Sequence, residues 1–410
     1  MKILLVHNSY QEAGGEDVVF QQEGQLLRWA GHQVIEYRRS NHEIEQGSVV
    51  RRLDLVRSTV WASDSRTAVG RLLHSERPDL VHVHNTFPLI SPSIYSVCHE
   101  ERIPVVQSLH NYRLLCPAGN FFRNGKPCED CVHQGLQRSV AHACYRDSRP
   151  ATAAVALMLA VHRRKKTFET MVDRYIALSS FARNKFVEGG LPAEKIVVKP
   201  NFLSVDPGCR IGSGSYALFV GRASHEKGLH TLLKAWTRLS HPLPLRIVGD
   251  SPAKSEMQAI AASQGSADIR FMGRLPREEA IEQIKQARFL IFPSELYETF
   301  GLSIIEAFAC GVPVIASNMG AMQEMVEDGQ NGLLFRAGDA EDLAQKVAWA
   351  WSNVDSLQKF GRNARLKYEA RYTADKNYVA LMEIYRQAAA NRCATGEVAS
   401  YRVAEGGVSA

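Results

Sequence analysis

The sequence predicts an α/β protein with two doubly wound parallel sheets that face each other across a cleft. Its 410 residues are enough for two or three domains, and its 45% hydrophobic and 22% charged residues are typical of a folded globular protein. Short β-branched runs alternate with helix-period segments through both halves of the chain, which is typical of parallel sheets covered by helices on both faces. One stretch rich in Gly, Pro and Ser, at 206–215, separates the two halves.

The first half contains six predicted strands and the helices between them. We expect the strands at 3–7, 34–37, 80–84, 105–109, 175–178 and 196–199, and the helices near 17–30, 65–75, 92–101 and 179–188. A further apolar helix over 150–166 ends in four consecutive basic residues. Together they predict an N-terminal domain over 1–205, with an insertion at 116–144 that carries four cysteines.

The second half repeats the alternation after the linker. We expect strands at 216–220, 245–248, 269–272, 289–292 and 314–316, and helices near 228–239, 253–263, 276–286, 303–310, 340–352, 356–369 and 375–389. These elements predict a C-terminal domain over 206–373. The helix at 374–390 is expected to pack back on the N-terminal domain. Residues 391–410 are small, polar and aperiodic, which predicts a disordered tail.

Hydropathy and cysteine content indicate the cellular compartment of the protein. The longest apolar run, at 151–161, is shorter than the roughly 18 residues that span a bilayer, and the apolar run at 3–6 is too short for the core of a signal peptide. We therefore expect a cytoplasmic protein whose eight cysteines are thiols or metal ligands rather than disulfides.

Positive charge is concentrated in one segment. Residues 123–166 contain nine basic and three acidic side chains, which equals the net charge of +6 of the whole chain. Such a patch indicates an anionic partner, for example phosphate groups or lipid headgroups. Because the apolar helix at 150–166 ends in this patch, contact with the inner face of the cell membrane is one interpretation, and a buried core helix with a solvated end is the other.

The densest chemical signal lies after the predicted strand at 289–292. Gly301 and Leu302 begin a helix there, and free amide groups at a helix N-terminus favour a phosphate. Glu298 precedes this helix and Glu306 lies in one of its early turns, and carboxylates are suited to hold vicinal hydroxyls of a sugar or a ribose. The alternative is a capped helix with solvated acids.

A second signal lies after the first strand beyond the linker. Gly221 and Arg222 end that strand, and Lys227 precedes the next helix. An arginine and a lysine beside a helix start can neutralise a diphosphate by forked and point-charge contacts. With Glu298 and Glu306 at the same strand ends, they predict a site for a nucleotide diphosphate that carries a sugar.

These motifs resemble family 4 retaining glycosyltransferases of the GT-B fold, in which two Rossmann-like domains face each other across a cleft. The resemblance spans about residues 1–390 and implies a hexosyltransferase whose N-terminal domain faces the acceptor and whose C-terminal domain binds the donor. The catalytic residues it implies are His110, beside the anomeric centre, with Glu298, Arg222 and Lys227. The donor-binding residues it implies are Gly14, Gly15, Gly221, Arg222, Lys227, Met272, Glu298, Phe300, Gly301, Leu302 and Glu306.

The resemblance also implies partners and a mechanism. The donor is a nucleotide sugar, and the acceptor is a glycan, which we expect to be lipid-linked and part of polysaccharide biosynthesis. No two aspartates are separated by one residue, so the usual metal bridge to a nucleotide diphosphate has no obvious ligands. We therefore expect no cofactor for catalysis, with the leaving-group charge met by Arg222, Lys227 and the helix start.

The insertion contains a separate candidate site. Cys128 and Cys131 form a Cys-x-x-Cys pair, and Cys116 and Cys144 each lie about a dozen residues away. This spacing resembles a structural four-thiolate zinc site, and similar insertions occur in some bacterial surface-polysaccharide transferases. The alternative is reduced thiols in an ordinary loop.

Two other functions share some of these features. A nucleotide-sugar epimerase can have the same two-domain architecture but needs no acceptor. A nucleic-acid-binding protein would use the basic segment 123–166, although that segment lacks aromatic residues interleaved with the basic ones.

Overall fold

A computed structural model describes residues 1–12, 14–44, 49–250 and 268–394. Within these residues the chain forms two parallel six-stranded sheets and one small antiparallel hairpin. The predicted fold class, two doubly wound α/β domains, is therefore confirmed. The helix predicted near 253–263 and most of the predicted tail, from residue 395, lie outside the described residues.

The N-terminal sheet has the strand order β2-β1-β3-β4-β7-β8, and the hairpin β5-β6 belongs to the cysteine insertion. In chain order the elements are β1 (Lys2–Ser9), α1 (Gly15–Trp29), β2 (Gln33–Ser40), α2 (Val49–Val60), α3 (Ser63–Glu76), β3 (Leu80–Asn85), α4 (Ile94–Glu100), β4 (Val105–Leu109), β5 (Phe122–Arg123), β6 (Lys126–Pro127), α5 (Asp130–His133), α6 (Gln137–Ala141), α7 (Arg149–Arg164), α8 (Thr167–Thr170), β7 (Arg174–Ala177), α9 (Ser180–Glu188) and β8 (Ile196–Val198).

The C-terminal sheet has the strand order β11-β10-β9-β12-β13-β14. Its elements in chain order are β9 (Tyr216–Val220), α10 (Leu229–Trp236), β10 (Leu245–Val248), β11 (Ile269–Gly273), α11 (Arg277–Gln286), β12 (Ala287–Phe292), α12 (Leu302–Ala309), β13 (Val314–Ser317), α13 (Met322–Met325), β14 (Gly332–Phe335), α14 (Ala340–Ser352), α15 (Val354–Arg371) and α16 (Ala374–Ala394). In both sheets the strand order reverses direction near the first strand, which places a crevice at the carboxyl ends of the strands.

Alternate residues of the central strands pack into different cores. In β1, Ile3 and Leu5 join one hydrophobic cluster, whereas Leu4 and Val6 join another. Because side chains alternate across a strand, these clusters lie on opposite faces of the sheet. A strand that is buried on both faces has a continuous apolar sequence, and this pattern allows such strands to be predicted from the sequence.

The last helix, α16, packs against the N-terminal sheet. Its residues Leu381, Ile384 and Tyr385 lie in the same cluster as Ile3 and Leu5 of β1. The chain thus crosses back to the first domain after building the second. The helix runs to Ala394 and so includes the first four residues, 391–394, of the segment predicted to be a disordered tail.

Helix α7 corresponds to the apolar helix predicted at 150–166, for which membrane contact is one interpretation. Several of its apolar residues, including Val155, Met158 and Leu159, are buried in the N-terminal domain, whereas Leu157 is 50% exposed. The basic residues at its end, Arg164 and Lys165, are exposed. The buried residues therefore stabilise the domain core, and the helix presents Leu157 and its cationic end to solvent. Among the described helices, none combines the length and the apolar character needed to cross a bilayer.

Candidate active site

Loops of the C-terminal domain meet at the carboxyl ends of β9, β10 and β11. The Gly221 amide donates to Val248 O at 3.0 Å, and the Gly249 amide donates to Gly273 O at 2.8 Å. Gly249 has a φ of 140°, and a Cβ atom there would lie 1.9 Å from Gly221 O. Only glycine allows this approach, so the three strand ends form one tightly packed surface beneath the cleft. Met272, at the end of β11, is partly exposed on it.

The short 3₁₀ turn at His225–Lys227 is seated directly on the segment that follows β12. Gly228 has a φ of 73°, and a Cβ atom there would lie 1.9 Å from Pro293 O. The Glu295 amide also donates to Glu226 O at 2.9 Å. This contact fixes the side chain of Lys227 beside the loop that carries Glu298.

Lys227 and Glu298 form a direct ion pair. Lys227 Nζ donates to Glu298 Oε1 at 2.6 Å, and Ser294 Oγ donates to the same oxygen at 2.7 Å. The Lys227 side chain is 25% exposed and the Glu298 side chain 11% exposed, so the pair is largely shielded from solvent. Arg222 instead pairs with Glu226 at 3.0 Å and is mostly exposed. Of the four charged groups predicted for this site, the structure therefore brings Lys227 and Glu298 into contact and leaves Arg222 exposed beside Glu226.

Two helix N-termini face each other across the cleft. Helix α12 starts at Leu302, and its N-cap residue Gly301 supplies no side-chain cap. Helix α1 starts at Gly15, and a Cβ atom on Gly15 would lie 3.0 Å from Leu302 Cδ1. The positive ends of both helix dipoles thus point into the same space, which favours an anion there. The Gly14 amide already donates a hydrogen bond to Asp17 Oδ2 at 2.8 Å, so it is not free to bind an anion in this structure.

Phe300 and Glu306 lie on either side of this helix start. The Phe300 ring packs edge-on against Tyr372, with the ring centres 5.9 Å apart. The Glu306 carboxylate accepts from Arg277 Nε at 3.3 Å. Burial raises the pKa of Glu306, and the Arg277 guanidinium opposes that rise. Arg277 was not singled out in the sequence because it is a single basic residue at the start of α11, with no motif around it.

His110 contacts the C-terminal domain through its backbone. Thr299 Oγ1 donates to His110 O at 2.8 Å, and Ser179 Oγ donates to Thr299 O at 3.1 Å. The residue next to Glu298 is therefore tied to two strand ends of the N-terminal sheet. This arrangement places His110 beside the loop that carries the Lys227–Glu298 pair.

Behind His110 lies a buried network of charged and polar side chains. His110 Nε2 is 3.0 Å from His84 Nδ1, and His84 Nε2 is 3.3 Å from Glu23 Oε2. Lys199 Nζ donates to Glu23 Oε1 at 2.6 Å, and these two side chains are only 2% and 1% exposed. His82 Nδ1 lies 2.8 Å from the Tyr385 hydroxyl on α16 and 3.8 Å from Glu23 Oε2.

This network fixes the charge states around His110. Burial lowers the pKa of His110 well below its usual value, with the neighbouring His84 acting in the same direction. Burial alone would raise the pKa of Glu23, but the Lys199 ammonium, with His84 and His82, holds it well below the usual range. At neutral pH the histidines are therefore neutral around one carboxylate and one ammonium. The sequence contained no reason to select His82 or His84, which look like ordinary strand residues.

Glu16, next to Gly15, is a further carboxyl group at the cleft. Asn85 Nδ2 and Asn111 Nδ2 donate to its two oxygens at 2.8 and 3.0 Å. Burial, reinforced by the nearby Asp17 carboxylate, raises the pKa of Glu16 to about 8. The group is therefore largely protonated near pH 7.

The four cysteines of the insertion lie together in a separate cluster. Their side chains line one small cavity between the hairpin β5-β6 and helices α5 and α6; they are Cys116, Cys128, Cys131 and Cys144. None of them is in a disulfide.

Two family models together match most of the chain. Residues 14–201 match the "Glycosyl transferase 4-like domain", and residues 211–367 match "Glycosyl transferases group 1". The unmatched residues between them fall in the linker. These matches do not favour the epimerase or the nucleic-acid-binding alternative.

Individual similar proteins agree with the family models. The chain is 32% identical over 39% of its length to D-rhamnosyltransferase WbpZ from Pseudomonas aeruginosa, and 30% identical over 42% of its length to O-antigen chain mannosyltransferase C from Escherichia coli. These matches cover 42% and 46% of the two relatives, so the chain spans less than half the length of each.

The fold is also that of a solved structure. HepE from Anabaena in complex with UDP aligns over 96% of this chain and 100% of that one, with a TM-score of 0.66 and 18% identity. At this identity the likeness supports the fold alone. The two family models, which together match residues 14–201 and 211–367, show that the chain belongs to the family 4 type of GT-B glycosyltransferases, and the fold agrees with that family.

Proposed function

We propose that the protein is a retaining hexosyltransferase that transfers a sugar from a nucleotide diphosphate sugar to a glycan acceptor in polysaccharide biosynthesis. The observation that carries the proposal is the Lys227–Glu298 ion pair, 2.6 Å long, beside the facing starts of α1 and α12. This arrangement combines positive charge for a diphosphate with a carboxylate for sugar hydroxyls. Names of the similar proteins, a rhamnosyltransferase and a mannosyltransferase, agree with it.

In this proposal the donor diphosphate lies between the two helix starts. Lys227 and the amides at Gly301 and Leu302 meet the phosphate that departs, where negative charge develops in the transition state. Arg222, mostly exposed, swings from Glu226 towards the diphosphate when the donor binds. No step needs a metal ion, because these groups supply the positive charge.

The remaining residues hold the other parts of the donor. Glu306 accepts hydrogen bonds from the ribose hydroxyls, with Arg277 holding the carboxylate in place. Met272 and the end of β11 contact the base. Glu298 accepts from hydroxyls of the transferred sugar. His110, with a neutral ring, lies beside the anomeric carbon, where a polar group stabilises developing charge.

Transfer with retention requires the acceptor to attack from the face that the phosphate leaves. The bond between the anomeric carbon and the phosphate oxygen breaks, the bond to the acceptor oxygen forms on the same face, and the acceptor proton moves to the departing phosphate oxygen. The protein then needs no separate general base. Its contribution is to orient the two substrates and to match the charge on the phosphate.

We propose a lipid-linked acceptor at the inner face of the cell membrane. The support is the exposed basic end of α7, with Arg164, Lys165 and Lys166 next to each other at the surface. Because several apolar residues of α7 are buried in the domain core, contact with the membrane is electrostatic and sensitive to salt.

A two-step experiment tests the function. The full chain is first screened by thermal shift against nucleotide sugars and free nucleotides, because a ligand that binds the folded state raises Tm. The stabilising donor is then incubated with glycan acceptors, free and on a lipid carrier, and the anomeric configuration of the product is read by NMR. An inverted product contradicts retention. Conversion of the donor into a different nucleotide sugar without acceptor supports the epimerase alternative. An increase of Tm with oligonucleotides but with no nucleotide or nucleotide sugar contradicts the proposal that the protein is a glycosyltransferase.

A further inference from the structure

The cysteine insertion holds an irregular backbone with very little core of its own. Between residues 118 and 146, all of which the structure describes, Phe121 and Cys131 are the buried apolar side chains. Nine non-glycine residues of the described chain have a positive φ; four of them, Phe121, Asn124, Ala143 and Arg146, lie in this segment, and a fifth, Asp147, follows it directly. Such conformations cost roughly 1–3 kcal/mol each and persist only where the surroundings enforce them.

Four thiols meet where this backbone folds on itself. Cys116 comes from the end of the N-terminal core, Cys128 and Cys131 flank the start of α5, and Cys144 follows α6. Cys116 and Cys131 are buried and their sulfurs are within hydrogen-bonding distance. Backbone amides of residues 118, 119 and 121 approach the Cys116 sulfur.

From these observations we infer that Cys116, Cys128, Cys131 and Cys144 bind one structural Zn²⁺ ion. Four thiolates are a common ligand set of structural zinc, and the Cys-x-x-Cys spacing suits it. Four thiolates and one Zn²⁺ carry a net charge of −2. Arg123 and Asp130 also line the cavity and pair with each other at 2.8 Å. Arg138 lies 3.9 Å from the same carboxylate, so two arginines and one aspartate surround the thiols.

Binding requires the sulfurs to move closer together. With Zn–S bonds of about 2.3 Å, tetrahedral geometry places the sulfurs about 3.8 Å apart. Among the described residues, two groups of three histidine or glutamate side chains have their ligand atoms within 4.8 Å of one another, and neither group contains a cysteine. The four sulfurs are therefore not yet at the distances that a bound ion requires. Cys128 and Cys144 are only half-buried, so rotation of their side chains can bring the sulfurs into the cavity.

The ion would hold the insertion across the cleft against the donor domain. Gly125, in the hairpin, is close enough that a Cβ atom on it would lie 3.8 Å from His225 Cε1. Glu129, next to Cys128, accepts from Lys185 Nζ at 2.8 Å and from the Tyr297 hydroxyl. His225 lies two residues before Lys227, and Tyr297 lies beside Glu298. The insertion therefore touches both segments that carry the central ion pair.

The deciding measurement is the metal content of the full chain, and it does not depend on the proposed function. Protein purified in reducing buffer without chelator and equilibrated with Zn²⁺ should contain about one equivalent of zinc. X-ray absorption should show four sulfur ligands at about 2.3 Å. Absence of bound zinc, or a shell of nitrogen and oxygen ligands, would overturn the inference.

Matched variants locate the ion. Cys131→Ser should lose the zinc and become sensitive to proteolysis between residues 117 and 143. Cys209→Ser, which replaces an exposed thiol in the linker, should retain both the zinc and the resistance. If Cys131→Ser does not fold, Cys128→Ser at a half-buried position replaces it. A Cys131→Ser or Cys128→Ser variant that keeps a full equivalent of zinc contradicts the assignment.

Discussion

Replacement of Lys227 by alanine tests the centre of the proposed donor site. The lysine ammonium lies 2.6 Å from Glu298 Oε1, and in the proposed complex it also meets the departing phosphate. The variant loses one positive charge and leaves the Glu298 carboxylate with Ser294 Oγ, at 2.7 Å, as its remaining partner. An unpaired carboxylate then repels the diphosphate.

The expected loss of turnover is about 10²–10³-fold, the effect of removing one donor at a site where charge develops. This corresponds to roughly 2.7–4 kcal/mol of transition-state stabilisation. Part of the loss comes from the uncompensated charge of Glu298. Adding Glu298→Gln removes that charge, so the double variant should be less impaired than the product of the single effects. For two residues in contact the coupling should be about 0.5–3 kcal/mol.

The assay is the initial rate of sugar transfer at saturating donor, with Tm measured for each variant to verify folding. Lys285→Ala is the matched control, because the Lys285 side chain is also 25% exposed and forms an ion pair, 2.9 Å from Glu282. It should retain the rate of the parent protein. If Lys227→Ala performs as well as Lys285→Ala, or if the two single effects simply multiply, the proposed role of the pair is wrong.

Two further predictions concern carboxyl groups with a raised pKa. Glu306→Gln should weaken binding of the free nucleotide, measured by calorimetry, while turnover at saturating donor changes little, because a ribose contact acts in ground and transition states alike; the reverse pattern would contradict the ribose role. Burial raises the pKa of Glu16 to about 8, so the folded state keeps a proton that the unfolded state loses, and this group lowers stability as pH rises from about 4.5 to 8. The free energy of unfolding is measured in urea for Glu16→Gln and for the parent protein. The variant's value minus the parent's value should increase as pH rises across this window. A difference that stays constant would show that the carboxyl group does not titrate there.

The sequence predicted most of the strands because their residues are buried on both faces. The runs at 105–109, 216–220 and 245–248 were predicted with the bounds that the structure has. Strand β14 was missed because its four residues, Gly332–Phe335, contain a glycine and lie at the sheet edge, where the apolar run is shortest. Helix α2 was missed because Val49–Val60 contains several arginines that interrupt its apolar pattern.

The sequence predicted which residues belong to the candidate site but not which of them contact each other. Lys227, Glu298 and Glu306 stand near strand ends and helix starts, which a sequence pattern can show. That Lys227 pairs with Glu298 depends on the glycine turn at Gly228 resting on the segment after β12, which no local pattern contains. The partner of Glu306, Arg277, comes from a different helix and carries no motif of its own.

The network behind His110 depends on the whole chain. Glu23 lies on α1, Lys199 follows β8, and Tyr385 comes from α16, so each element arrives from a different part of the sequence. A buried ion pair costs more in desolvation than it returns unless further polar contacts accompany it. Here His84 Nε2 and His82 Nδ1 lie 3.3 and 3.8 Å from Glu23 Oε2, close enough for an electrostatic contact but without a well-formed hydrogen bond. One of them, His84, contacts the His110 ring, and the other contacts Tyr385. The docking of the last helix and the orientation of the His110 ring are therefore linked through a single buried carboxylate.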